Sequence, residues 1–140
     1  MKKYTIFMIE DEHLLCELFT EYVSLIPQVE FLGYSRDGQE AMRKCLQIKP
    51  DIIVLDIRLP EVNGLEILTL LRRKLPETKI VLFTGTIREE TLKLAVELGA
   101  SGFVEKGYGL DELKQAIEAV IAGRPHFSPG VAQLVKTFKV

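Results

Sequence analysis

Short apolar strands alternate with amphipathic helices five times along this chain, and few folds admit that rhythm. Strands are expected at Tyr4–Ile9, Val29–Tyr34, Ile52–Leu55, Lys79–Phe83 and Ser101–Glu105. In the first helix, Leu14, Leu15, Leu18, Phe19, Tyr22, Val23 and Ile26 form a core-facing stripe that stops at Pro27. Asp37-Gly-Gln-Glu40 opens the second helix as an acid-capped box, with Ala41, Met42, Cys45 and Ile48 inward. Asn63 with Glu66 opens the third, which runs to about Leu75 and ends before Pro76. Thr86 with Glu89 opens the fourth, and Gly99 closes it. The fifth keeps period through Leu110, Leu113, Ala116, Ile117, Val120 and Ile121 until Gly123. Such alternation predicts an α/β fold, a doubly wound parallel sheet ordered 2-1-3-4-5 with helices on both faces.

With 140 residues the chain makes one domain. A net charge of −2 gives no electrostatic reason for this segment to bind nucleic acid or an anionic membrane. No apolar run approaches a membrane span and no secretory signal opens the chain, so a cytoplasmic setting is expected. Cys16 and Cys45 lie far apart in helical stretches and read as buried thiols.

The chemistry lies at the strand ends. The first strand leads into Glu10-Asp11, the third into Asp56, the fourth into Thr84 and the fifth into Lys106. In an open α/β sheet of this order, ligands sit at the carboxyl ends of the strands, near the switch point between strands one and three. Three carboxylates, a hydroxyl and an ammonium would meet there. Two carboxylates about 5 Å apart repel by around 3 kcal/mol at an effective dielectric near 20. Lys106 alone cannot offset three. A hard divalent cation with oxygen ligands, Mg²⁺ or Mn²⁺, would supply the rest, and zinc's usual His or Cys ligands are missing. An ionised Asp beside a cation, a Lys and a Thr suits phosphoryl transfer onto the Asp itself.

Four segments then resemble the receiver domain of two-component response regulators: I-E-D at 9–11, V-L-D-I-R-L-P-x-x-N-G-L-E at 54–66, F-T-G at 83–85 and G-A-S-G-F-V-E-K at 99–106. The resemblance covers residues 4 to 122 and implies a flavodoxin-like, CheY-like (βα)5 sandwich. It implies Asp56 as phosphoacceptor, phosphorylated from a sensor histidine kinase. Asp11, Asp56 and the backbone carbonyl of Arg58 would be direct Mg²⁺ ligands, with Glu10 acting through water. Lys106 matches the phosphate-binding lysine, and Thr84 and Phe103 the switch pair, Phe103 rotating inward behind Thr84. Glu10 departs from the commoner Asp, Phe103 from the commoner Tyr, and Gly107 from the frequent proline.

Residues 116–129 resemble the end of NarL/FixJ-type receivers, which implies a LuxR-like DNA-binding output domain outside this chain. On this reading residues 1–123 are the receiver and 124–140 a linker. Ser128-Pro129 starts a short helix, with Val131, Leu134, Val135 and Phe138 on one apolar face. That face is expected to dock on its own domain, on a second subunit or on the output domain, the alternative being a frayed tail. Ile87, Thr91, Leu94 and Leu98 form a second apolar stripe on the fourth helix, with Ile87, Leu94 and Leu98 a candidate interface for a homodimer formed on phosphorylation, the alternative being packing against the third or fifth helix. His13 and His126 read as surface residues without partners.

Two rivals use similar parts. A haloacid-dehalogenase-like phosphatase also needs an Asp after a strand, but wants a second Asp where Arg58 stands. A receiver-like interaction module independent of phosphorylation is favoured only by Glu10.

Overall fold

The computed structural model describes residues 3–85, 88–136 and 138. The elements in order are β1 (Tyr4–Ile9), α1 (His13–Val23), β2 (Val29–Ser35), α2 (Gly38–Ile48), β3 (Ile52–Leu55), α3 (Gly64–Lys74) and β4 (Lys79–Thr84). After these come α4 (Glu89–Glu97), β5 (Gly102–Glu105), a 3₁₀ turn (Lys106–Tyr108), α5 (Gly109–Ile121), β6 (His126–Phe127) and α6 (Pro129–Lys136). All strand pairs are parallel, in the order β2-β1-β3-β4-β5-β6. The expected five-stranded order is present, and the tail adds a sixth strand that the apolar pattern does not predict.

Strand alternation divides the core into two layers. Ile6, Met8, Val54, Phe83 and Val104 face α1 and α5, where Cys16, Phe19, Leu113 and Ile117 meet them. Phe7, Ile9, Leu55, Leu82 and Phe103 face the other side, against Cys45 of α2, Leu68 of α3, Leu92 of α4 and Val131 of α6. Both cysteines are free and buried, and burial pushes the Cys45 thiol up to about 12. Two helix caps follow their sequence signals: Asp37 Oδ1 accepts from Gln39 N at 3.2 Å, and Asn63 Oδ1 from Leu65 N at 2.9 Å. Gly64 is required where it stands, because a Cβ there would collide with the backbone of Ile57. That close approach folds the loop after Asp56 back onto β3.

Some helix positions depart from the expected stripes. Leu14 and Leu18 of α1 are exposed, at 70% and 46%, because the core-facing arc is carried by Cys16, Phe19 and Val23, with Leu15 packed at its edge. Ile48, in the last turn of α2, is likewise exposed. Helix α4 begins at Glu89 with Arg88 at its cap position and no side-chain cap bond, while Thr86 and Ile87 lie outside the described residues. His126 is not a free surface residue: its Nε2 lies 2.6 Å from Glu112 Oε2, and both side chains are largely covered. His13 pairs with Glu17 at 3.2 Å on the open face of α1.

The tail docks on its own domain. His126 and Phe127 pair with Gly102 and Phe103, and the rings of Phe103 and Phe127 stack with centroids 6.5 Å apart. The Ser128 hydroxyl ties the tail to β5: the Glu105 N–H donates to it at 3.3 Å. Val131 is fully buried, and Leu134, Val135 and Phe138 pack against the same core layer.

Candidate functional site

Register brings the strand-end residues together. Ile9 of β1 lies beside Leu55 of β3, so Glu10 and Asp56 leave the sheet side by side. The Asp56 N–H donates to Ile9 O at 3.0 Å and the Glu10 N–H to Ser35 O at 3.1 Å, which extends the ladder through both positions. Leu55 pairs with Leu82 and Thr84 with Glu105, so Thr84 and Lys106 reach the same rim from the other side.

Asp56 is buried, and its two oxygens have different partners. Oδ1 accepts from Thr84 Oγ1 at 2.8 Å and from the Arg58 N–H at 2.9 Å. Oδ2 accepts from Lys106 Nζ at 2.9 Å. The ammonium also reaches Glu10 Oε2 at 3.1 Å and Glu12 Oε1 at 2.6 Å. Burial opposes its charge, but the bonds to Glu12 and Asp56 outweigh that and hold Lys106 above the usual lysine range. Burial, and then the neighbouring Asp56, push Glu10 up to about 7.

Glu10, Asp11 and Asp56 each offer a carboxylate oxygen within 4.8 Å of the others. Three carboxylates, those of Glu10, Glu12 and Asp56, contact the one ammonium, Asp11 adds a fourth carboxyl beside Glu10 and Asp56, and the donor set is all oxygen. Such a set fits a hard divalent cation and not a soft one. Asp11 is fixed through its backbone, whose carbonyl accepts from Arg36 Nε at 2.9 Å.

Phe103 lies under this rim, fully buried, two residues along β5 from Glu105. The ring is enclosed in the core, and Thr84 on the adjoining strand donates to Asp56. Of the interface candidates on α4, Leu94 is exposed and Leu98 packs partly against the core; Ile87 lies outside the described residues. Two residues of the site, Glu12 and Arg36, are not singled out by the sequence motifs. The end of the second strand, Ser35-Arg36, carries the signal for Arg36, at the same offset as the other strand-end residues.

The family model of the response regulator receiver domain matches residues 6–118. The response regulator GacA of Pseudomonas viridiflava is 31% identical over 128 residues, covering 91% of this chain and 60% of that protein. The nitrate/nitrite response regulator protein NarL of Escherichia coli (strain K12) is 31% identical over 119 residues, covering 85% and 55%. This chain thus spans less than two thirds of the length of these relatives. A two-component response regulator of the LuxR family from Aurantimonas sp. SI85-9A1 superposes with a TM-score of 0.89 at 32% identity, covering 97% of each chain. The receiver fold is shared at 17% identity by the isolated REC domain of RcsB from Salmonella enterica serovar Typhimurium, with a TM-score of 0.88. From the strand-end cluster, the six-stranded parallel sheet and these matches together, the chain belongs to the response regulator receiver domain family, with relatives of the NarL/FixJ type.

Proposed function

We propose that this chain is a phosphoacceptor switch, in which Asp56 takes a phosphoryl group from the phosphohistidine of a sensor histidine kinase. The observation that carries the reading is the division of labour around Asp56: neutral donors from Thr84 and Arg58 on Oδ1, the Lys106 ammonium on Oδ2. An Asp56 carboxylate oxygen attacks phosphorus, the P–N bond to the kinase imidazole breaks, and its electron pair returns to that nitrogen. Lys106 faces the negative charge of the transferred group, and Thr84 is placed to donate to one of its oxygens. Later attack by water on phosphorus releases inorganic phosphate and regenerates the Asp56 carboxylate.

Glu10, Asp11 and Asp56, with the carbonyl of Arg58, would hold Mg²⁺ or Mn²⁺, Glu10 through a water. When bound, such an ion neutralises charge on the phosphoryl oxygens. The all-oxygen donor set and the raised Glu10 support this assignment.

The switch pair would carry the signal outward. Thr84 ends β4 and Phe103 lies opposite Leu82 on the adjacent strand β5, and the face built from α4, β5 and α5 is the one their movement would reshape. On this reading residues 1–123 are the receiver and 124–140 a linker leading toward a DNA-binding output domain of LuxR type outside this chain, with homodimerisation on phosphorylation as the step between. A cytoplasmic setting belongs to the same reading, since the kinase's phosphohistidine must reach Asp56. No helix among the described residues is long and apolar enough to cross a membrane.

The test is incubation with acetyl phosphate and Mg²⁺, followed by intact mass. Gain of one hydroxylamine-labile phosphoryl group is expected. No gain would favour a phosphorylation-independent interaction module, and turnover of p-nitrophenyl phosphate would favour the phosphatase reading.

A further inference from the structure

Lys106 has three N–H donors, and three different carboxylates take them. Any phosphoryl oxygen that is to bind this ammonium must displace one of the three. Glu10 and Asp56 are 1% and 3% exposed, so either would be left as a buried carboxylate without its counter-charge. Glu12 is different. Its side chain is 61% exposed, and its carboxylate can exchange the ammonium for water at little cost.

The local backbone supports a dedicated task for this side chain. Glu12 occupies the cap position of α1 with extended backbone, yet makes no side-chain cap bond. A Ser, Thr, Asp or Asn there turns its oxygen onto the first turn of its own helix, whereas the longer Glu side chain is left for other partners. Here the carboxylate reaches across the rim to Lys106 instead, at 2.6 Å, the shortest of the three ammonium contacts. The peptide N–H of Glu12 meanwhile donates to Glu10 Oε2 at 3.1 Å. One residue thus contacts both the buried acid and the ammonium of the site.

We propose that Glu12 is a positioning residue for phosphoryl transfer: in the resting chain it holds one donor of Lys106, and it yields that donor to the incoming phosphoryl oxygen. The inference rests on the phosphoacceptor reading and deepens it. Two consequences oppose each other. The Glu12 charge repels an anionic phosphodonor and competes for Lys106, so it slows phosphoryl uptake. The same charge attenuates the Lys106 ammonium beside the acidic cluster and so favours a divalent cation there.

The experiment compares the full chain with its Glu12→Gln and Glu12→Asp variants. Acetyl phosphate supplies the phosphoryl group: an Asp56 oxygen bonds to phosphorus as the P–O bond to acetate breaks, and acetate leaves with the electron pair. At saturating Mg²⁺ and roughly 0.02 M salt, Glu12→Gln should accelerate phosphorylation roughly three- to tenfold, shrinking to about twofold or less near 0.5 M salt as charges are screened. Calorimetric titration with Mg²⁺ alone should show metal affinity falling by a similar factor. Glu12→Asp, which keeps the charge, should return the metal affinity to within about twofold of wild type. A Glu12→Gln chain that phosphorylates more slowly at saturating metal, or with both quantities unchanged at low salt, overturns the proposal while the wild-type reaction stands. A wild-type chain that gains no phosphate sinks the phosphoacceptor reading and this inference with it.

Discussion

Thr84 Oγ1 donates to Asp56 Oδ1 across 2.8 Å, from the end of one central strand to the end of its neighbour. Thr84 is fully buried, and Phe103, also fully buried, lies on the adjoining strand. Thr84→Val keeps the volume of the side chain and removes the donor. Phosphorylation from acetyl phosphate should slow by roughly 10²-fold, the scale of losing one donor to developing charge. Thr84→Ser should stay within a few fold of wild type, which initial rates from intact mass would check.

Glu10 gives the site a pH signature in the absence of metal. Its folded-state value of about 7 lies above its ordinary 4.5, so between these values the folded chain binds more protons than the unfolded one. The contribution of Glu10 to stability is thus fully present below about 4.5 and is lost as pH rises toward 7. Each unit of difference corresponds to about 1.4 kcal/mol. Glu10→Gln should be more stable than wild type at pH 8 by roughly 1–3 kcal/mol, with the gap closing toward pH 4. Urea unfolding in EDTA across that range measures it; a gap that widens at low pH contradicts the assignment.

The fold was largely readable from the sequence because its period-2 and period-3.6 segments are short, bounded by Pro, Gly and capping residues, and mutually consistent. The strand-end cluster was readable for the same reason: topology gathers residues whose positions after strands are plain in the sequence. What escaped has a common cause. Leu14 and Leu18 fit the apolar period of α1, yet face solvent, since periodicity alone cannot tell a buried stripe from an adjacent exposed one. The contact between Glu12 and Lys106 spans 94 residues and depends on side-chain reach. The sixth strand is two residues long and carries no alternation to detect.

Docking of the tail makes a stability prediction. Val131 is 1% exposed and packs in the layer that holds Phe103 and Leu92. Val131→Ala should cost about 1–2 kcal/mol, and Val131→Asp more, because a carboxylate would be buried without a partner. Removing residues 128–140 should lower the denaturation midpoint. An unchanged midpoint on removal would mean the tail is frayed in solution.

Exposed leucines on two helices separate two kinds of partner. Leu94 on α4 is 47% exposed, and Leu14 on α1 is 70% exposed, two residues past Glu12 at the rim of the site. Neither Leu94→Glu nor Leu14→Asp should change stability by more than about 0.5 kcal/mol. Leu94→Glu should weaken self-association after phosphorylation, read by light scattering with beryllofluoride. Leu14→Asp should slow transfer from a kinase several-fold while leaving transfer from acetyl phosphate within about twofold.

The central claim is that sheet topology, through Thr84, Lys106 and the acidic cluster, makes one carboxylate phosphorylatable. Intact mass of wild type and Asp56→Asn after acetyl phosphate and Mg²⁺ tests it most directly. The account predicts one added phosphoryl group on wild type and none on Asp56→Asn. An Asp56→Asn chain that gains the same single group would contradict it.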